Sequence, residues 1–255
     1  MKKILVIAKK DFKTYFISPI GYLFLSSFLL IVGFMFYQRL IYFVRQSNIA
    51  SQMGQDISVS LNDVIIKPLY GTINLLFLFL VPLITMRLIA EEKKQKTMEL
   101  LLTSPIKTNH LILGKFTSAM MLIGLTLACT LTYPIILYVG GNPDMGQIFT
   151  MYIGLLFLSA SYICVGIFWS SLTENQIIAA VLTFISLLFL WIIDWAAQSS
   201  GQLLGSIIYY LSIMRHFESF GEGTISLKDT VYYVSFCVFV LYLTYLSIES
   251  RKWEK

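Results

Sequence analysis

The chain has 255 residues, 57% of them hydrophobic and only 13% charged, about half the charged share of a soluble globular domain. Mean hydropathy is +0.75 and the formal net charge is +5. These values point to a membrane protein and exclude a soluble enzyme, nucleic-acid binding is a poor account of the positive charge, and three cysteines without CxxC or zinc-ligand spacing imply neither a disulfide framework nor a metal centre.

Residues 1–17 read as an amphipathic interfacial helix. At about 100° per residue, Ile4, Leu5, Ala8, Phe12, Tyr15 and Phe16 share one arc, and Lys2, Lys3, Lys9, Lys10 and Lys13 share the other. That is the pattern of a helix lying on anionic lipid. Ser18-Pro19 breaks it. Seven charge-free runs follow, at 14–38, 68–86, 116–143, 145–173, 175–193, 195–214 and 230–248. A spanning helix needs about 20 mostly apolar residues to cross about 30 Å of hydrocarbon. Six runs qualify. The run 195–214 does not, because Gln198-Ser199-Ser200-Gly201-Gln202 leaves only 203–214 as a continuous apolar block.

The expected architecture is therefore all-α, a polytopic membrane domain with six spans at 18–38, 69–88, 111–139, 146–172, 175–195 and 230–248. Residues 39–67 form an outer loop whose apolar positions suit a short surface helix or a short strand. Pro82 and Pro134 lie inside spans two and three, where membrane helices tolerate a kink. Gly140-Gly141-Asn142-Pro143-Asp144 is an outer turn. Thr173-Glu174-Asn175-Gln176 reads as a capping box that opens span five. Residues 198–222 are expected to form a re-entrant outer segment, carrying Ser206, Tyr209, Tyr210, His216 and Phe217. With the N-terminus inside, fourteen of the nineteen Lys and Arg residues fall in inner pieces and five in outer ones. Six spans keep the basic C-terminus inside, as the positive-inside bias requires. Both termini are thus expected in the cytoplasm.

The segment 89–110 belongs to a basic island between spans two and three, with Arg87, Lys93, Lys94, Lys96, Lys107 and Lys115 against Glu91, Glu92 and Glu99. Charges at mid-bilayer cost roughly 2.5–3.5 kcal/mol each, so the island must lie in water. Yet it contains Leu100-Leu101-Leu102. An exposed apolar cluster rimmed by charge marks a docking surface. Catalytic chemistry is not visible. Gly114-Lys115 is followed by Phe116 and position 109 is Asn, so a phosphate-binding loop fails at both ends. His110 and His216 are assigned to opposite sides of the membrane and read as surface or interfacial residues. The spans carry hydroxyls and aromatics in place of acids and bases, which argues against a proton- or ion-coupled carrier. No cofactor is expected.

The residues Glu91-Glu92-Lys93, Thr97-Met98-Glu99-Leu100-Leu101, Ser104-Pro105-Ile106 and Leu113-Gly114-Lys115 resemble the E-E-x-x-x-x-T-x-E-L-L-x-x-S-P pattern of ABC-transporter permeases of the second exporter class. Ile17-Ser18-Pro19, Ser171 to Gln176 and His216 to Phe220 resemble the gliding-motility GldF-type branch. The resemblance covers essentially the full length. It implies a half-transporter in the inner membrane that pairs with a second permease subunit and with two copies of a separate ATPase. It makes 89–110 a coupling element, with Glu91, Glu92, Thr97, Glu99, Leu100, Leu101, Ser104 and Pro105 as contact residues. The alternative is a mechanical or scaffolding membrane subunit driven by the same kind of ATPase. One residue departs from the pattern: the usual glycine before the threonine is Lys96 here.

Overall fold

The structure is a computed structural model and describes residues 2–52, 60–98, 107–199 and 210–253. Among these residues it is all-helical, with no strand. Helix α1 runs Lys2–Ile17 and α2 Pro19–Gln52. A π-helical turn, Asn62–Ile66, leads directly into α3, Lys67–Thr85. The short α4 is Ala90–Lys94. Then come α5, Thr108–Thr130, α6, Thr132–Gly140, and α7, Met145–Leu172. The remaining helices are α8, Gln176–Ser199, α9, Ile213–Gly221, and α10, Leu227–Trp253. Six stretches among the described residues are long and apolar enough to cross a membrane, which agrees with the span count expected from hydropathy.

Local sequence accounts for where helices end. Helix α2 does not stop at Gln38, because no proline or glycine intervenes before Gly54. The open choice for residues 39–67 resolves as helix at 39–52 and 61–67, while 53–59 lie outside the described residues. The break between α5 and α6 falls at Leu131, three residues before Pro134. Proline cannot donate to the Thr130 carbonyl and its ring crowds that oxygen. Leu131 N accordingly bonds back to Ala128 O at 3.2 Å, a tightened turn. Asp144 caps α7, accepting from Gly146 N at 2.9 Å and Gln147 N at 3.3 Å. The cap of α8 differs from the capping box expected at Thr173. Asn175 Oδ1 accepts from Ile177 N at 2.9 Å, and Thr173 Oγ1 accepts from Asn175 N at 2.9 Å. Asn175 sits one residue before the helix, where its short side chain reaches the second amide.

Helix α7 is the central pillar. In its most apolar window 72% of residues are buried, against 28% for α2 and 17% for α8. It packs against α3, α5, α8, α9 and α10. Its contact with α3 is closest at Gly166, where any Cβ would collide with the Thr85 side chain. The flanks of α2, α8 and α10 stay largely uncovered within this chain.

The bundle has two distinct ends. At one, Ser171 Oγ donates to Ser247 Oγ at 3.2 Å and Thr108 Oγ1 donates to Glu249 Oε2 at 3.2 Å. The ends of α7 and α10, the start of α5 and α4 therefore meet there. At the other, Asn62 Nδ2 donates to Asp144 O at 3.1 Å and to Gln147 Oε1 at 2.7 Å. Gln147 Nε2 and Thr150 Oγ1 donate to Gly221 O and Phe220 O, which fastens α9 over that end of α7.

Helix α1 lies against α5. At Gly114 the two helices approach so closely that a Cβ would stand 2.7 Å from Ile7 Cγ2. The inward face of α1 differs from the single apolar arc expected from periodicity. Ala8 and Tyr15 are buried, but Leu5 is 63% and Val6 69% exposed. The apolar surface of α1 is divided, part turned to α5 and part turned outward, because one narrow helix groove cannot cover the whole arc.

Candidate functional site

The sequence-predicted coupling residues begin in α4. Glu91 and Glu92 occupy its first turn and Lys93 and Lys94 its last, the order that complements a helix dipole. Ser170 of α7 holds the start of this helix. Its Oγ accepts from Ile89 N at 3.1 Å and Ala90 N at 3.0 Å and donates to Met86 O at 3.1 Å. Three backbone groups left over at a helix junction are thereby satisfied by one hydroxyl. The Lys93 ammonium donates to the Ser171 carbonyl.

After α4 the chain turns at Gln95 and Lys96. Lys96 has φ 57°, the sole positive φ at a non-glycine among the described residues. A left-handed residue with a Cβ costs roughly 1–2 kcal/mol. This is the position where the pattern quoted above carries glycine, which adopts that conformation without strain. The departure at Lys96 thus preserves the backbone turn and gives up its ease. Thr97 Oγ1 then donates back to Glu92 O at 3.2 Å, and Met98 is buried. Glu99, Leu100, Leu101, Ser104 and Pro105 lie outside the described residues.

Glu92 points inward. Its Oε1 is 2.7 Å from Lys115 Nζ, and Asp11 Oδ2 approaches the same ammonium at 3.4 Å. The Lys115 side chain is only 2% exposed. A buried ammonium is tolerable only with such partners, since unpaired burial of a charge is strongly unfavourable. The cluster ties three elements together: α1 through Asp11, α4 through Glu92 and α5 through Lys115. Beside it opens a cavity of about 360 Å³, whose polar lining includes Lys10, Asp11, Tyr15, Arg87, Glu92 and Lys115. Burial, reinforced by the Asp11 carboxylate, pushes the Tyr15 phenol well above its usual pKa, so it remains a neutral hydroxyl. Sequence reading missed Asp11 as a partner, and saw Lys115 as one charge in a water-exposed island. A lysine directly after a glycine, at the edge of a 28-residue charge-free run, was the available signal.

The other predicted interfacial residues are placed as follows. Lys3, Lys9, Lys10 and Lys13 are exposed and Phe12 is half-buried against the core. The Lys2 side chain, like Ser206 and Tyr209 of the outer segment, lies outside the description. Tyr210 is exposed, while His216 and Phe217 are buried.

His216 is therefore not the surface residue its sequence position suggested. Its Nδ1 meets Asp229 Oδ1 at 2.6 Å and its Nε2 meets the Tyr210 carbonyl at 3.2 Å. Both partners are acceptors, so each ring nitrogen is engaged. The ring stacks on Tyr232, with centroids 3.8 Å apart. Ser219 Oγ donates to the second oxygen, Asp229 Oδ2, at 2.5 Å. Serine, histidine and aspartate are together, but the serine bonds the carboxylate and the imidazole's far nitrogen is taken by a carbonyl. No base is available to the hydroxyl, so the arrangement is a latch between α9 and α10 and not a nucleophile site. Deeper in the bundle, Tyr162 OH donates to Asn74 Oδ1 at 3.0 Å and Asn74 Nδ2 donates to Met214 Sδ at 2.8 Å. These bonds tie α9 to α3 and α7.

Among the described residues there is no grouping of His, Cys, Asp and Glu that suits a metal ion. Comparison with curated proteins gave no match. The sequence profile of a family described as ABC-2 family transporter protein matches residues 5–249. With nearly the whole length matched and six apolar helices present, the chain belongs to the ABC-2 family of ABC-transporter membrane subunits, which work with a separate ATPase.

Proposed function

We propose that this chain is one permease half of an ATP-driven export complex, and that residues 89–110 are the element through which a separate ATPase moves it. In this reading the α4 end of the bundle faces the cytoplasm and both termini lie there. The complex resides in the inner membrane and contains a second permease subunit and two ATPase copies. The resemblance of Ile17-Ser18-Pro19, Ser171 to Gln176 and His216 to Phe220 supports a member of the gliding-motility GldF-type branch.

The observation that carries the reading is the attachment of α4. Ser170 and Ser171 bind it to the central helix α7, and Glu92 binds it through Lys115 to α5 and α1. A push on this segment is therefore delivered to the pillar of the bundle and to two of its neighbours at once. A freely hanging loop would dissipate the same push. The uncovered flanks of α2, α8 and α10 leave room for lipid and for a second permease.

The test uses Leu101, one of the three consecutive leucines of the island. Leu101→Asp should leave membrane insertion unchanged, because one charge in a water-facing segment does not alter the spans. It should abolish co-purification of the ATPase and substrate-stimulated ATP hydrolysis by the complex. Wild-type ATPase binding by the inserted variant would overturn the assignment of 89–110 as the coupling element.

A further inference from the structure

Between α3 and α4 the chain loses two rungs of the helical ladder, and one side chain fills the gap. In an unbroken helix Ala90 N would donate to Met86 O and Ile89 N to Thr85 O. Here Ala90 N donates to Ser170 Oγ at 3.0 Å, and the same hydroxyl donates to Met86 O at 3.1 Å. The donor and the acceptor of one helical bond are thus joined through a hydroxyl of the neighbouring helix. Ser170 Oγ also accepts from Ile89 N at 3.1 Å, whose helical partner, Thr85 O, is taken by Leu88 N at 3.1 Å. Ladder bonds persist on either side, from Met86 N to Pro82 O and from Lys93 N to Ile89 O.

A side chain inserted into the ladder is one of the few causes of a sharp helix bend, and proline is another. Pro82 does not account for this break. Its missing N–H and its ring act on the Leu78 carbonyl, a turn earlier, whereas the lost rungs lie at 85–90. Ile89 takes up the bend, with φ −121° against about −63° in a helix. Thr85, Ile89, Ala90 and Ser170 are fully buried, so the hydroxyl stands where water would otherwise be needed. Ser118, Thr126, Ser161 and Thr244 donate to carbonyls three or four residues back in their own helices, the usual habit of such residues. Ser170 sends its hydrogen across to Met86 instead. Gly166, one turn earlier on the same face of α7, allows that reach, because a Cβ there would stand 2.1 Å from Thr85 Oγ1.

We infer that Ser170 is a removable wedge and residues 86–89 a hinge, α3 and α4 being two halves of one helix with a bent and a straight form. With the hydroxyl withdrawn, Ala90 N closes on Met86 O and Ile89 N on Thr85 O, and Ser170 donates to Gly166 O in its own helix. Each form satisfies the same backbone groups, which is the condition for two discrete arrangements of similar energy. Straightening parts Lys93 from the Ser171 carbonyl, and this weights the balance toward the bent form. The consequence for transport rests on residues 89–110 being the coupling element, but the hinge itself does not. A push on that element then moves α4 in one step between two directions.

Spin labels at Lys94→Cys on α4 and Ser250→Cys on α10, both exposed positions, test the hinge in the full chain with Cys129, Cys164 and Cys237 replaced by alanine. Ser170→Ala removes the wedge. The distance between labels should shift by about 5 Å, on the order of one helical turn. The Ile89 and Ala90 amides should keep their protection from hydrogen exchange within about threefold, because the closed rungs now hold them. Ser170→Cys keeps the packing and weakens the donor. It should populate both distances, and it carries the test by itself if the alanine chain does not fold. An unchanged distance in the folded variants would make Ser170 a fixed cap of a permanent turn and overturn the hinge, whatever the exchange rates. A shifted distance with exchange at Ile89 and Ala90 about tenfold faster or more would mean fraying in place of straightening, and would overturn it too. The coupling reading fails separately. A shifted distance together with intact ATPase binding by Leu101→Asp keeps the hinge and removes the coupling element, and an unchanged distance with ATPase binding lost does the reverse.

Discussion

The Lys115 ammonium is an interaction whose removal has a calculable sign. Lys115→Met keeps the length and the packing of the stem but leaves Asp11 and Glu92, with side chains only 13% and 15% exposed, facing each other without their shared cation. Breaking a buried pair by removing one partner costs about 3–5 kcal/mol. The partial exposure of the carboxylates places this case at the lower end, about 3 kcal/mol. The midpoint of thermal aggregation of the purified chain should fall accordingly. Adding Glu92→Gln to Lys115→Met removes the stranded carboxylate and should recover at least half of the loss. Equal midpoints for the single and double variants would show that the pair is not coupled. The reason this site was illegible in the sequence is plain at this scale. Asp11 and Lys115 are 104 positions apart, and an acid in a row of lysines looks like neutralising punctuation until the fold brings its partner to it. Glu91, Glu92 and Thr97 were legible because a local spacing carries them. Lys96 was visible as a departure, and its φ of 57° gives that departure a physical content.

At the scale of elements, α9 shows how a polar segment between spans is held at the end of a bundle. His216 and Asp229 are thirteen positions apart on two helices and satisfy each other out of water. Asp229 also lies in the first turn of α10, where a carboxylate favours the helix dipole. Sequence reading assigned His216 to a surface because single ionisable groups seldom leave water. Pairing removes that objection, and pairing is a property of the fold. Asp229→Asn makes the latch testable. The amide oxygen accepts from either His216 or Ser219, while its NH₂ confronts the other donor. Losing one such bond and stranding a buried donor costs about 1–3 kcal/mol. Amides of α9, residues 213–221, should exchange hydrogen about tenfold faster or more, since about 1.4 kcal/mol is a factor of ten in local opening. Amides of α7 should change little. Unaltered exchange across α9 would show that Gln147, Thr150 and Tyr233, which also bind its backbone, hold it without the latch.

For the whole molecule, the number of spans was legible because lipid imposes it: about 20 apolar residues per crossing is a length rule that each run obeys or fails alone. Which helix sits beside which was not. Long charge-free runs have no polar face to betray their neighbours, and contacts such as Gly166 on Thr85 are specified only by shape. The structure adds a constraint that hydropathy lacks. Helix α1 at Gly114, the start of α5 at Thr108, α4, and the end of α10 at Glu249 all gather at one end of the bundle. The turn at Gly141 and Asp144 lies at the other, beside Asn62. An even number of crossings follows from that geometry, and we propose that the α4 end faces the cytoplasm, the side that the positive-inside bias favours for fourteen of the nineteen Lys and Arg residues. The two arguments are independent, one from shape and one from charge. A reporter active only in the cytoplasm should therefore work when fused after Lys255 and fail when inserted after Gly141. A reporter active only outside should give the reverse pattern. Replacing Lys93, Lys94 and Lys96 by glutamine together should weaken the orientation bias and raise the outside signal at Lys255, because it removes three of the fourteen inner charges. Outside signals at both Lys255 and Gly141 in the unaltered chain would require an odd number of crossings, and the six-span bundle would be wrong; an outside signal at Lys255 with a cytoplasmic one at Gly141 would instead overturn the orientation.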